Sequence, residues 1–303
     1  MNRLPLLACL ALALLVSPGG SSSASASPTV GTLLIGSDTV LTEDHHGPVV
    51  FTAGLVTLDC AGHTIHGEGD GVGVLIAPPV MAVTVRNCEV TGFERAIQVF
   101  ATARIVVRDN VTTANGYGVV VEFSSEVLVE DNRATNNTFA GFAIGQSSQL
   151  QLHRNTSNNN GRNGFETHTF SNNVEFIDNT ANGNVDHGFG ESHTFANHYR
   201  GNTATNNGEF GFGFWNSVAN DIASNVSNHN GIGGFLLQDS WSMSLRDGIA
   251  KNNRAGVLVS GTFGSLITGI NGCPNRELDL YQDPASSGNS FVDNRFCRTA
   301  GID

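Results

Sequence analysis

Gly118-Val119-Val120-Val121, Gly141-Phe142-Ala143-Ile144, Gly164-Phe165-Glu166-Thr167, Gly188-Phe189-Gly190-Glu191, Gly211-Phe212-Gly213-Phe214 and Gly234-Phe235-Leu236-Leu237 are variants of one phrase. With Gly73-Val74, Ala96-Ile97 and Gly256-Val257 they form nine openings separated by 23, 22, 23, 23, 24, 23, 23 and 22 residues. Self-similarity at a fixed period of this length marks a repeat architecture and has to be read before any local motif. Within each phrase every second residue is apolar, the alternation of a strand.

About nine residues further on comes a second alternating run, Ile105-Val106-Val107, Val127-Leu128-Val129 or Leu150-Gln151-Leu152, followed by an Asn corner at Asn87, Asn110, Asn132, Asn155, Asn179, Asn202 and Asn225. A third short segment of Thr, Ala, Ser and Val leads to another Asn corner, at Asn115, Asn160, Asn182, Asn207, Asn230 and Asn253. Three short strands and three corners in this span cannot enclose a core alone, but they can form one coil of a solenoid whose neighbours complete it. Stacking coils at about 4.8 Å satisfies backbone groups between coils, and Asn at equivalent corners can form amide ladders. The inward column is predicted to be Val74, Ile97, Val119, Phe142, Phe165, Phe189, Phe212, Phe235 and Val257.

The run Leu58-Asp59-Cys60-Ala61-Gly62-His63-Thr64-Ile65-His66-Gly67, followed by Val83-Thr84-Val85-Arg86-Asn87-Cys88 and Thr91-Gly92-Phe93, resembles the NosD-type periplasmic and secreted proteins of the pectate-lyase-like superfamily. The resemblance implies an all-β, right-handed parallel β-helix of about ten coils with N- and C-terminal caps. We expect repeats over 60–270, an N-terminal cap and first coil over 27–59, and a C-terminal cap over 271–303, where the period breaks.

Residues 1–26 read as a secretory signal peptide, with Arg3 before the apolar run Leu6 to Val16 and small residues ending at Ala26. Eleven apolar residues are too few to span a bilayer, so a secreted or periplasmic monomer is expected. Fifteen Lys and Arg stand against 27 Asp and Glu, a formal charge of −12, which argues against nucleic acid as a partner. It also makes polyuronate binding harder unless arginines cluster or a cation bridges. Past Ala26 four cysteines remain, Cys60, Cys88, Cys273 and Cys297. In an exported chain these read as two structural disulfides, Cys60 and Cys88 on neighbouring coils and Cys273 and Cys297 stapling the tail. Metal thiolates or reactive thiols are the alternative.

With the inward columns committed to packing, chemistry has to sit on outward positions or corners. One pair of neighbouring coils shares a Glu-x-His-Thr-Phe set, Glu166-Thr167-His168-Thr169-Phe170 and Glu191-Ser192-His193-Thr194-Phe195, displaced by one residue against the repeat glycine. A bulge at Gly190 would bring Glu191 and His193 out beside Glu166 and His168; the other register buries Glu191, at a cost unless it is paired. Grouped outward, the four could serve as acid and base on a glycoside or a uronate, with Trp215, Glu122 and Gln238 as substrate contacts. No cofactor is required, a divalent cation held by two imidazoles and a carboxylate being the alternative. Asp186-His187 lies in the same neighbourhood as a corner dipeptide.

Two readings follow, a protein binding or acting on an extracellular polysaccharide and a non-catalytic exported β-helix scaffold. The polygalacturonase Asn-Thr-Asp, Asp-Asp and Gly-His-Gly set and the Asp-Pro-His run of mannuronan epimerases are not present in convincing form.

Overall fold

The computed structural model describes residues 29–301; the expected signal peptide lies outside them. These residues form 36 strands and no helix, and therefore no helix long and apolar enough to cross a membrane. The strands pair in parallel into three sheets of 11, 13 and 12 strands, each strand lying beside those three before and three after it in the chain along most of their length. One coil is Thr156–Asn158 in the first sheet, Phe165–His168 in the second and Asn172–Ile177 in the third. The chain makes about 11 such turns.

Register follows the repeat glycine. Val119, Phe142, Phe165, Phe189, Phe212, Phe235, Val257 and Leu280 occupy successive positions of one column in the second sheet. All are buried to 1% exposure or less, because each ring or branched side chain covers its equivalent one coil away. The Phe rings stack nearly face to face at centroid separations of 4.8, 4.6, 4.7 and 5.2 Å. The column places no polar atom in the interior, so its burial stabilises without a hydrogen-bonding obligation.

The corners meet that obligation separately. Asn110, Asn132, Asn155, Asn179, Asn202 and Asn225 form a buried ladder in which each Oδ1 accepts from the preceding Asn's backbone N–H and Nδ2 at 2.8–3.0 Å. Asn87, expected in this ladder, is one residue out of place. Cys88 holds the position, donating its backbone N–H to Asn110, and the Cys60–Cys88 disulfide continues the line with Cα atoms 4.7 Å apart. A second ladder runs through Asn115, Asn137, Asn160, Asn184, Asn207, Asn230 and Asn253. Here Asn184 replaces the expected Asn182, because Asn182 is the last residue of its strand, paired with Asn158 and Thr205, and the ladder position lies two residues beyond that strand in each coil. A third line of Ser and Thr, including Thr102, Ser124, Ser147 and Ser171, runs along the corner between the second and third sheets and links successive coils by backbone N–H to hydroxyl bonds.

At the start, Thr29–Val30, Leu33–Ile35 and Thr39–Val40 are the outermost strands of the three sheets. Beyond Ile270, Leu278–Gln282 and Ser290–Val292 continue the second and third sheets in register, so the region expected as a cap carries further coil. The Cys273–Cys297 bridge, with Cα atoms 5.6 Å apart, closes it. Asp279 beside the bridge accepts backbone N–H groups from Asn275, Cys297 and Arg298. With both sulfurs bonded to each other and the carboxylate so occupied, the group is a staple and not a set of free metal ligands.

Candidate functional site

The outward face of the second sheet carries two columns. One reads Gln98, Val120, Ala143, Glu166, Gly190, Gly213 and Leu236; the other reads Phe100, Glu122, Gly145, His168, Ser192, Trp215 and Gln238. Four of these positions are Ala or Gly, and where they cluster the sheet surface sinks. The larger depression, about 170 Å³, is lined by Asn163, Glu166, His168, His187, Gly190, Ser192 and Trp215. A second, of about 80 Å³, lies along the same face between Arg95, Tyr117, Glu122, Glu166 and His168. Glu166 and His168 form the shared wall.

Glycine is needed at two of these places for space. The Trp215 indole lies flat over Gly213, where a Cβ would overlap its six-membered ring. At Gly190 a Cβ would stand 3.2 Å from His187 Cδ2 and 3.3 Å from Asn163 Nδ2. Trp215 is thereby held against the sheet with its ring centroid 4.8 Å from that of His187.

His187 enters from the corner before the strand. Its side chain is 14% exposed, its Nε2 lies 3.5 Å from a Glu209 carboxylate oxygen, and its Nδ1 accepts the Phe210 backbone N–H at 3.4 Å. Burial pulls its imidazole down to about 4, against the nearby Asp186 carboxylate, which favours the charged form. His187 is therefore neutral near pH 7 and serves as an aromatic and hydrogen-bonding wall. Glu166 has a buried carboxylate oxygen, Oε2, with no hydrogen-bond partner, and an acceptor left in that state calls for a donor from outside the chain. His168 Nδ1 is engaged with Thr169 Oγ1 at 2.9 Å. Tyr117 on the far side of Glu166 has its phenol pushed up by burial and by the Glu166 charge.

Two residues expected here are elsewhere. Glu191 is not on the outward face: no bulge forms at Gly190, which pairs squarely with Glu166, and Glu191 instead pairs with Thr167 on the inner face. It is 1% exposed and lies below the floor. Thr194 Oγ1 and Asn220 Nδ2 donate to its Oε1, and Tyr199 OH and Asn197 Nδ2 to its Oε2. Burial pushes the Glu191 carboxyl up, the four donors pulling the other way; burial and the facing Glu191 raise the Tyr199 phenol well above its ordinary value. His193 stands at the exposed corner after the strand, with a positive φ of 57° and its Nδ1 2.7 Å from Ser192 Oγ. The expected group of four is thus reduced to Glu166 and His168 on the open face. Glu122 accepts from Gln98 Nε2 at 3.1 Å, and Gln238 follows Trp215 on the next coil.

Sequence reasoning weighed His187 only as half of a corner dipeptide and missed Asn163 and Tyr117. Their contribution depends on which residues of adjacent coils fall beside them. An exposed apolar line was also missed: Phe195, Val218, Trp241 and Phe263 bridge coil to coil just past the corner, each 36–42% exposed.

The family described as right handed beta helix region matches residues 56–204. No match was found among curated protein sequences. Solved structures share the fold at low identity. The periplasmic alginate epimerase AlgG is 12% identical with a TM-score of 0.75, over 90% of this chain and 77% of that one. The A-module of the Azotobacter vinelandii mannuronan C-5 epimerase AlgE4 is 13% identical with a TM-score of 0.52, over 91% and 86%. The Dettilon tailspike protein is 14% identical with a TM-score of 0.55, over 88% and 63%. The repeat period, the three parallel sheets and the family match agree: this chain is a right-handed parallel β-helix repeat protein.

Proposed function

We propose that this protein binds an extracellular polysaccharide along the outward face of its second sheet and that Glu166 and His168 provide acid–base chemistry there. The observation that carries the reading is the depression at Gly190, which joins a fixed indole, a neutral imidazole and a carboxylate oxygen without a protein donor. An aromatic plane packs the apolar face of a sugar ring, while hydroxyl groups supply donors that an unpartnered carboxylate lacks. Two disulfides suit an oxidising compartment. The alginate and mannuronan epimerases of the same fold provide supporting precedent.

Roles follow from position. Trp215 and His187 form the platform, Asn163 and Ser192 line its edges, and Glu166 with His168 stands where the two depressions meet. Glu191 takes no direct part, since its carboxylate is buried and held by four donors of the chain itself. The test is gel-retardation in a panel of polysaccharides, beside assays for new reducing ends and unsaturated products. Retardation by one polymer that Trp215→Ala abolishes supports the site, and turnover lost in Glu166→Gln even at polymer concentrations that saturate the weakened variant supports the chemistry. A Trp215→Ala protein that binds as well as wild type would sink the proposal.

A further inference from the structure

The depression and its flanks carry an unequal set of charges. Arg95 and Arg162 are the basic side chains; Glu94, Glu122, Glu166, Asp186 and Glu209 are the acidic ones. Each arginine already faces a carboxylate, Arg95 lying 3.8 Å from Glu94 and Arg162 3.7 Å from Asp186. Glu122, Glu166 and Glu209 remain without a cationic partner. His187 cannot make up the difference, because its buried ring stays neutral near pH 7. Around the two depressions five carboxylates therefore stand against two arginines, with His168 and His187 the histidines of the lining.

We infer that the polysaccharide taken by this groove is one without carboxylates, whose sugars present hydroxyl or ammonium donors to Glu166 and Glu122. The inference rests on the polysaccharide reading above and narrows its ligand class. A polyuronate would set a negative charge on every sugar against unpaired carboxylates at short range, where like charges repel and the repulsion is only partly screened. A hydroxyl- or ammonium-bearing chain instead gives the buried Glu166 Oε2 the donor it lacks. This separates the protein in ligand chemistry from the alginate epimerases that share its fold. The hydroxyl and ammonium sources differ in their salt response: binding through neutral hydroxyls is nearly independent of ionic strength, whereas ammonium binding weakens as salt rises.

Calorimetric titration of the full chain with a neutral β-glucan, chitosan, polygalacturonate and alginate tests this, each at low and high salt and with either a chelator or calcium. The glucan or chitosan should bind, and both polyuronates should bind at least roughly ten-fold more weakly at low salt, the gap closing as salt screens the repulsion. A Glu122→Gln/Glu166→Gln double variant, its fold checked by circular dichroism, should lose affinity for the preferred polymer and narrow the gap. A polyuronate binding more tightly than the uncharged and amino polymers, with or without calcium, overturns this inference and leaves the polysaccharide reading standing. Silence towards every polymer overturns both.

Discussion

Replacing Glu191 with Gln isolates the buried carboxyl, because the side chain keeps its shape and loses only its titration and one acceptor atom. In the native protein the carboxyl is pushed up by burial, whereas in the unfolded chain it titrates near about 4.3. A carboxyl raised on folding contributes stability that is fully present below its unfolded value and is lost as pH rises through its native one. Between the two values each pH unit should remove about 1.4 kcal/mol from the wild type and nothing from the variant. At acid pH the variant should be weaker by about 1–3 kcal/mol, since the new amide faces Thr194, Tyr199, Asn197 and Asn220 with one donor too many. The advantage of the wild type should therefore shrink on going from acid to neutral pH. Urea unfolding of both proteins in half-unit steps from about pH 4 to about pH 8 measures the difference directly. Titrations shared by the two proteins cancel. An advantage that is flat or that grows with pH would refute the buried, raised carboxyl.

Other perturbations probe the ladder, the platform and the corners. Asn155→Ala removes the acceptor for the Asn132 backbone N–H and amide and the donor to Val129 O and Asn179 Oδ1; a loss of roughly 3 kcal/mol or more is expected in urea unfolding. Gly213→Ala should displace the Trp215 indole and weaken polysaccharide binding while leaving far-ultraviolet circular dichroism unchanged. For His187, lowered to about 4 by burial, the contribution is present above about 6.5 and lost as pH falls towards the native value. His187→Gln should therefore flatten the decline in stability between those limits, read from melting midpoints. Cys60→Ala/Cys88→Ala opens a 28-residue separation and should cost about 2–4 kcal/mol in urea unfolding.

The coil is legible because its period is enforced twice, by the repeat glycine and by the alternation that follows it. A Phe at each of five successive openings, Gly141 to Gly234, can be inside only if the coils stack in register. The polar corners are less legible. Asn87 and Asn182 look like ladder members, but a ladder position is fixed by its distance from the strand, and Cys88 and Asn184 hold it. Glu191 shows the same limit. The shared Glu-x-His-Thr-Phe set suggests two equivalent coils, yet side-chain direction is set by the pairing of Phe165 with Phe189, and the one-residue displacement turns Glu191 inward. The burial is tolerated because Tyr199, on the opposite wall, brings its hydroxyl to that carboxylate. Neither residue is interpretable alone, since the pair is eight positions apart and lies on different sheets. Trp215 and Glu166 were found from outward alternation, whereas His187 joins them only through the contact between coils.

Trp215 and Trp241 are the two tryptophans of the chain, so a Trp241→Phe protein reports on Trp215 alone. Titrating it with the polysaccharide that retards the wild type should give a saturable change in indole emission with the wild-type affinity, and Glu166→Gln in the same background should weaken it. Binding of the polymer at full affinity with Trp215 emission unchanged would place the glycan elsewhere on the solenoid and contradict the assignment of this face.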